Sequence, residues 1–376
     1  MQDKKSLFLQ GLTLEEKELF LQWDKNGLAG ITTDKRDIVS NIVHQYTEFM
    51  GIKLDVKNRD ILDKQRKINN ISSYLIPNTK VSNDISDKLT FDDIGTQIDL
   101  LVSNKKQKEM KVFYSVYFDD NADTSIIYSR KRPLSAYDRA VHNTIVSMYE
   151  AGNNQFTLDQ ITRVMYASTS VGEKQKREVK NSIEKMILTR VKIDCSEQIQ
   201  GYKELQATYE GYLINADKVS VLADNGKQVE IYSINKKPIL YAYAQTINQV
   251  ASVDIKLLDT KAVTRNTDEI IAIKEYLLRR IEVIKNAKSK TNNTILYDTI
   301  FKNCDIVLDT SKTRTQEHRY KKQIKLLLQD WQSKGLFKEF TENKKGNKSI
   351  SLTIYKHNWP IISVYITLYK CVRNLI

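Results

Sequence analysis

The spacing of apolar residues predicts three helices in the stretch after residue 135. Apolar side chains recur there at three- and four-residue intervals, which is typical of helices that bury one face. Ser135 and Thr157 precede Asp138 and Gln160 by three residues, a spacing that predicts two capped helix starts. The predicted helices are 136–151, a short helix that carries Leu158, Ile161, Val164 and Met165, and about 173–190. The predicted strands that follow cover 191–193, 207–213 and 228–234.

A second stretch of the chain repeats this order of elements. Its last helix carries Tyr320, Ile324, Leu327, Leu328 and Trp331 on one face, with polar and basic residues opposite. A two-stranded hairpin follows, with a turn rich in lysine and glycine. The predicted helices cover 268–286, 294–303 and 315–334, and the predicted strands cover 336–340 and 349–355.

Helices followed by a β-hairpin in this order predict a winged helix. In such modules the second helix of the helix-turn-helix enters the major groove, and the preceding helix braces it against the DNA backbone. The fold class expected is therefore α+β and mostly α, with two tandem winged-helix domains after a small helical N-terminal unit. The predicted divisions are 1–94, 95–260, 261–357 and a C-terminal tail at 358–376.

The N-terminal region gives weaker patterns. Helices are predicted from Thr13 and over 34–50, where Ile38 and Ile42 share an apolar stripe, so this unit is a candidate for oligomerisation or partner docking. The polar stretch 68–95 is interpreted as a linker. A strand over 108–118 is expected to pair with 125–129 in a hairpin.

The positive charge is concentrated in the two predicted winged-helix modules. The chain has a net charge of +13. Residues 130–192 hold 12 Lys and Arg against 6 Asp and Glu, and residues 268–357 hold 19 against 11, whereas residues 1–129 hold 18 against 20. Two separate basic blocks favour two separate contacts with a polyanion.

The candidate DNA-binding residues lie on the outward face of each third helix and at the second hairpin's tip. Lys185 is expected to share the first of these faces. Arg319 is a candidate for base contacts, since arginine can bind guanine through two hydrogen bonds, and the tip lysines are expected to meet phosphate. The full set is Ser170, Lys174, Arg177, Lys180, Asn181, Lys312, Arg314, Thr315, His318, Arg319, Lys322, Lys344, Lys345 and Lys348.

No catalytic motif is found, so no enzyme, metal or cofactor is expected. The chain has no phosphate-binding loop, and its four histidines are scattered. Cys195, Cys304 and Cys371 have no metal-binding spacing and are interpreted as small buried apolar residues. Neither a signal peptide nor a membrane span is predicted, so the expected compartment is the cytoplasm and no membrane partner is expected.

Three short segments resemble replication initiators of plasmids and integrative elements of low-GC Gram-positive bacteria. They are 132–141 (RPLSAYDRAV), 276–281 (YLLRRI) and 295–301 (ILYDTIF). The resemblance, over about 95–357, implies tandem winged helices that bind repeated double-stranded origin sites and recruit a host helicase or helicase loader, with a homodimer as a candidate assembly. It implies no ATPase in the chain itself.

Two other classes of function stay open at the level of sequence. A transcriptional regulator could use the same two modules on an operator. A structural or DNA-segregation adaptor could use its winged helices to bind protein. Unwinding of a specific origin would separate an initiator from a regulator, and the absence of salt-dependent DNA binding would favour the adaptor.

Overall fold

The structure is a computed structural model, and it divides into two compact units. The first comprises residues 1–67 with 222–228, and the second comprises 68–221 with 229–376. The residues it describes are 8–26, 31–32, 35, 38–39, 41–42, 45–46, 70–95, 97–104, 107–118, 124–127, 132–196, 208–222, 228–286, 292–308 and 313–357.

The first unit contains helix α1, Leu14–Asn26, which confirms the helix predicted after Thr13. The Thr13 amide donates to Glu16 Oε2 at 2.9 Å, and the Glu16 amide donates back to Thr13 Oγ1 at 3.3 Å. Phe20 is buried and packs with Phe8 and Ile42. Ile38, expected on the apolar stripe, is instead 41% exposed.

The described residues of the second unit form a mixed α and β structure with small sheets. Its helices are α2 (Lys80–Asp87), α3 (Thr124–Ile127), α4 (Ala136–Glu150), α5 (Leu158–Tyr166), α6 (Glu173–Leu188), α7 (Ile239–Thr246), α8 (Asp268–Asn286), α9 (Tyr297–Asn303) and α10 (Thr313–Ser333). Its strands are β1 (Ser73–Pro77), β2 (Gln97–Asn104), β3 (Gln107–Phe118), β4 (Gln155–Thr157), β5 (Thr189–Asp194), β6 (Thr208–Tyr212), β7 (Ala216–Leu222), β8 (Gln228–Ile234), β9 (Val250–Asp254), β10 (Thr294–Leu296), β11 (Glu339–Lys345) and β12 (Lys348–Tyr355).

The first module comprises residues 136–234, from α4 to β8. Strand β4 lies between α4 and α5 along the chain and pairs antiparallel with β8, which also lies beside β7. The capping boxes predicted at Ser135 and Thr157 are confirmed. A separate four-stranded sheet has the order β2-β3-β5-β6.

The second module comprises residues 268–355, from α8 to β12. Strand β10 precedes α9 and pairs antiparallel with β12, and β12 also pairs with β11, so the sheet order is β10-β12-β11. The predicted apolar face of α10 is confirmed, because Ile324, Leu327, Leu328 and Trp331 are fully buried. The Trp331 indole donates to the Leu257 carbonyl oxygen at 2.9 Å.

The interpretation of 68–95 as a linker is wrong. Strand β1 pairs antiparallel with β9, and Ile76, Val81 and Ile85 are buried in the same core as both modules. The Thr79 hydroxyl accepts from the Ser82 amide at 2.9 Å and caps α2. The polar residues that suggested a linker are therefore used for helix capping and for contacts with α4 and α8.

Two strand assignments also differ from the sequence-based expectation. The segment Thr124–Ile127 is the short helix α3, so it does not pair with β3 in a hairpin; β3 pairs with β2 and β5 instead. Residues 294–296, predicted as the start of a helix, form β10. The helix begins only at Tyr297 because the backbone of 294–296 is paired with residues 351–353 of β12.

The two modules pack together through α4 and α8. A polar cluster lies at this junction, in which Arg139, Glu275 and Arg279 are buried and Asp87 is half-buried at the edge. The Arg279 guanidinium makes two hydrogen bonds of 2.8 Å to the Asp87 carboxylate, and its Nε lies 3.3 Å from Glu275 Oε1. Arg139 donates to the carbonyl oxygens of Pro77 and Ser82. The modules therefore share one core together with the β1–α2 segment.

Candidate nucleic-acid interface

The exposed face of α10 carries positive charge without a competing free carboxylate. Arg314, Thr315, His318, Arg319 and Lys322 are all exposed, on the side opposite the buried apolar residues. Four of these positions follow the i, i+3, i+4, i+7 spacing that places side chains on one helical face.

The two acidic residues of α10 are already bound to lysines. Glu317 Oε1 lies 2.6 Å from Lys321 Nζ, and Asp330 Oδ2 lies 2.7 Å from Lys334 Nζ. The hydrogen bond from Lys321 lowers the pKa of Glu317 below its ordinary value of 4.5, so this carboxylate stays ionised and paired at neutral pH. Within the described part of the chain, a polyanion approaching α10 therefore meets cations that no carboxylate compensates.

The tip of the β11–β12 hairpin adds three exposed lysines, Lys344, Lys345 and Lys348. Lys345 and Lys348 are paired across the turn. Gly346 has φ +61°, a left-handed backbone angle that favours glycine and closes the turn tightly. The tip predicted from the sequence is confirmed as a turn, and its three lysines are exposed, although Lys348 Nζ also lies 3.6 Å from Glu317 Oε1.

The corresponding face of α6 in the first module carries both signs of charge. Lys174 and Arg177 are exposed and Asn181 is half-buried, as a solvent-facing helix side requires, and Ser170 is exposed just before the helix begins. Glu173 lies at the start of the same helix and is 91% exposed, although its Oε1 also lies 3.1 Å from Lys176 Nζ. This face therefore attracts a polyanion less strongly than the face of α10.

Lys180 differs from the other candidates because its charge is paired within the molecule. Its Nζ lies 2.5 Å from Glu230 Oε1 on β8 and 3.9 Å from Glu184 Oε1. It therefore connects α6 to the hairpin of the first module.

The prediction that Lys185 faces outward is wrong. Its side chain is 1% exposed and its Nζ lies 3.2 Å from Asp138 Oδ2. Lys185 lies on the same inward face of α6 as Ser182, which is also buried and donates to Asp138 Oδ1. Lys312 lies outside the described residues.

Most of the side chains in the segments that carry the sequence resemblance stabilise the fold and are not exposed for binding. Arg139 and Arg279 belong to the buried polar cluster. Arg132, just before the first module, places its Nε 2.8 Å from Asp305 Oδ1 in the second module. Tyr297 is fully buried at the start of α9. None of these side chains is part of the exposed basic faces, so their part in DNA binding would be indirect.

The polar contacts that join α10 to the hairpin are not predicted from the sequence. Glu342 on β11 accepts a hydrogen bond from the Tyr297 hydroxyl at 2.9 Å and lies 3.3 Å from Lys325 Nζ. The i, i+4 spacing of Glu317 and Lys321 was a signal for one helical ion pair. No sequence signal brings Glu342 to Lys325, because that pair depends on how the hairpin folds back.

Other kinds of site find little support among the described residues. They contain no group of three or more side chains able to hold a metal ion. Burial raises the pKa of Cys195 to about 11 and that of Cys304 well above its ordinary value, so both thiols stay protonated at neutral pH. Within the described part of the chain, no helix combines the length and apolar character needed to cross a membrane.

Comparison with known proteins gives structural similarity alone. No protein-family model and no curated protein matches the chain. Two crystal structures of domains 2 and 3 of RctB are similar to it, each at 9% sequence identity. One, of selenomethionine derivatives, has a TM-score of 0.35 and covers 74% of this chain and 99% of that chain. The other has a TM-score of 0.34 and covers 72% and 95%. Similarity at these TM-scores carries no conclusion about function.

Proposed function

We propose that this chain is a sequence-specific double-stranded DNA-binding protein built on two winged-helix modules. The observation that carries the proposal is the exposed face of α10, where Arg314, His318, Arg319 and Lys322 stand together while both acidic residues of the helix are paired. Lysines at the adjacent hairpin tip extend the same charge. Clustered cations on one helix and one hairpin are the electrostatic footprint of a nucleic-acid partner.

The order of elements in each module supports the winged-helix assignment. Both modules contain a helix, a short strand and two further helices in that order, and in each the short strand pairs with the last strand of the module. In the second module the two strands of the wing follow the third helix directly, whereas in the first β5 and β6 come before β7 and β8. In this arrangement α6 and α10 are the helices that enter the major groove, and the hairpins are the wings. Arg319 reads bases, whereas Lys344 and Lys345 contact phosphates.

The biological role proposed is initiation of replication of a plasmid or integrative element. It rests on the sequence resemblance of 132–141, 276–281 and 295–301. Binding to repeated origin sites, recruitment of a host helicase or its loader, and formation of a homodimer belong to this proposal. The protein is proposed to act without catalytic chemistry and without a cofactor of its own, in the cytoplasm.

Duplex binding is tested by measuring affinity for DNA at several salt concentrations. If about 6–10 phosphates are neutralised, affinity should fall by about 10³- to 10⁵-fold between about 50 and 200 mM salt. Affinity that does not change with salt, or no binding at all, would refute DNA binding and favour the protein-binding adaptor.

The role in replication is tested by selecting bound fragments from random DNA. Directly repeated sites beside an A·T-rich tract, and unwinding of that tract with host helicase, are the results expected for an initiator. A single operator-like site that is never unwound would refute initiation and favour a transcriptional regulator.

A further inference from the structure

Two carboxylates lie inside the basic surface of the second module, where they would repel DNA. Glu317 is in α10, next to His318, and Glu342 is on β11, two residues before Lys344. Their side chains are only 17% and 14% exposed. A basic surface that retains acidic residues against electrostatic cost needs a physical reason for them.

Glu317 connects α10 to the far strand of the wing. It lies 2.6 Å from Lys321 Nζ and 3.6 Å from Lys348 Nζ. Lys321 also donates to the Ser349 carbonyl oxygen at 2.5 Å, and its ammonium lies 4.8 Å from the centre of the Tyr297 ring. A single lysine thus contacts the helix, β12 and the start of α9.

Glu342 connects α10 to the near strand of the wing. It accepts from the Tyr297 hydroxyl at 2.9 Å and lies 3.3 Å from Lys325 Nζ. Tyr297 is the residue common to both sets of contacts, through its ring and its hydroxyl. We call this group the helix–wing network; its members are Tyr297, Glu317, Lys321, Lys325, Glu342 and Lys348.

The network acts where the sheet gives least support. Strand β10 pairs only with residues 351–353 of β12. The wing from Lys344 to Ile350 extends beyond that pairing, so its position relative to α10 depends on other contacts. Two residues of that stretch, Lys348 and Ser349, contact network partners on α10. Glu342 lies at its base, opposite Leu352, and contacts Tyr297 on α9 and Lys325 on α10.

The first module has a corresponding connection between its third helix and its wing. Lys180 on α6 lies 2.5 Å from Glu230 on β8, and Glu184 on α6 lies 2.8 Å from Lys218 on β7. In both modules a lysine of the third helix is thus paired with a glutamate on a wing strand. The presence of this ion pair in both modules indicates that each module needs its wing held at a fixed position relative to its third helix.

We propose that the helix–wing network fixes the wing lysines relative to α10, so that Glu317 and Glu342 are positioning residues for DNA recognition despite their charge. The inference rests on the proposed DNA-binding function. It makes a prediction opposite in sign to that of simple electrostatics. Removing a carboxylate from a DNA-binding surface should strengthen binding if charge alone matters, and should weaken specific binding if the carboxylate holds the wing.

The test compares Glu342→Ala with Glu339→Ala in the full-length protein. Both glutamates are on β11, but Glu339 is exposed and makes no ion pair within the described residues. Affinity is measured for a selected site duplex and a scrambled duplex over a series of salt concentrations. We expect Glu342→Ala to weaken binding to the site by about 5- to 20-fold and to reduce the salt slope by about one to two, because two wing lysines lose their phosphates. Glu339→Ala should bind as tightly as the unmodified protein or slightly tighter.

A double-substitution comparison separates positioning from loss of folding. Glu342→Ala is introduced into a protein that already carries Lys344→Ala and Lys345→Ala. If Glu342 acts through the wing lysines, it should have almost no further effect on DNA binding in this background. A general loss of folded protein would instead lower binding equally in both backgrounds.

Tyr297→Phe provides a second variant in case Glu342→Ala fails to fold. It keeps the ring beneath Lys321 and changes no charge, so electrostatics alone predicts unchanged binding. The network predicts the same reduced salt slope as Glu342→Ala. The inference is overturned if Glu342→Ala binds as tightly as Glu339→Ala while Tyr297→Phe binds normally, or if the Glu342→Ala loss is undiminished without the wing lysines. If the unmodified protein shows no salt-dependent duplex binding, it is the proposed function that fails.

Discussion

The buried polar cluster between the modules gives a sharp prediction about stability. Arg279 makes two hydrogen bonds of 2.8 Å to Asp87 and lies 3.3 Å from Glu275, whose side chain is fully buried. Arg279→Met keeps much of the side-chain volume but leaves both carboxylates without their main partner. Breaking a buried ion pair from one side costs about 3–5 kcal/mol, because the remaining charge is buried and uncompensated.

The neighbouring residue provides the matched control. Arg280 is half-exposed and donates one hydrogen bond, to the Asn292 carbonyl oxygen at 2.9 Å. Arg280→Met makes the same chemical change one position along α8, yet it should cost about 1 kcal/mol or less. The contrast between the two variants depends on tertiary structure, because their helix propensities and their change in charge are identical.

Urea denaturation followed by the fluorescence of Trp331 measures the difference. Trp23 and Trp359 are replaced by Phe in all proteins, so that the signal reports the core of the second unit. With a denaturant dependence of about 3 kcal/mol per M, Arg279→Met should lower the midpoint by about 1–1.7 M. A shift as small as that of Arg280→Met would refute the assignment of Arg279 as the main partner of the buried Glu275 carboxylate and of Asp87.

The pH dependence of this variant is a further check. Burial raises the pKa of Glu275 above its ordinary value of 4.5. When the pKa of a carboxyl is higher in the folded than in the unfolded protein, the free energy of unfolding falls as the pH rises from the unfolded-state pKa to the folded-state pKa. It increases again as the pH is lowered. Without Arg279 the pKa of Glu275 should rise further, so the deficit of Arg279→Met should become smaller at acidic pH. A deficit independent of pH would contradict a buried, unpaired Glu275 carboxylate.

Three other predictions follow from the structure. Burial lowers the pKa of Lys274 from 10.5 to about 7, so the free energy of unfolding should rise with pH between these two values. Urea unfolding at a series of pH values should show this rise in the unmodified protein and not in Lys274→Met. Deletion of residues 1–67 should change the affinity for a one-site DNA duplex by no more than a few-fold, as a binding measurement would show. A longer deletion that also removes β1 and α2 should unfold the second unit, which circular dichroism would detect. Arg319→Ala should weaken specific DNA binding more than non-specific binding, while Lys344→Ala with Lys345→Ala should weaken both alike. If Arg319→Ala loses equal affinity for the site duplex and the scrambled duplex, Arg319 contacts phosphate and does not read bases.

The sequence by itself determined the elements whose signals are local. The capping boxes at Ser135 and Thr157, and the apolar face of α10, were predictable because each depends on residues within a few turns of the same helix. The exposed cations of α10 follow from the same helical phase. The turn at Gly346 could be found from its composition alone.

Tertiary structure decided how polar residues are used. Residues 68–95 have a polar sequence typical of a linker, yet Ile76, Val81 and Ile85 enter the shared core, because partners more than 50 residues away in sequence bury them. Strand β10 exists only because it pairs with β12, and three residues carry too little periodicity to predict a strand.

The same limit applies to charge. The sequence does not distinguish Lys180, Lys185 and Lys322, which all lie in basic stretches. In the structure Lys180 is paired with Glu230 on β8, Lys185 is buried beside Asp138, and Lys322 is exposed. How many charges a helix carries, and which of them share a face, can be read from the sequence. Whether a charge remains available to DNA depends on carboxylates brought near by the fold, because an ion pair acts over a few ångströms in space, whatever the separation along the chain.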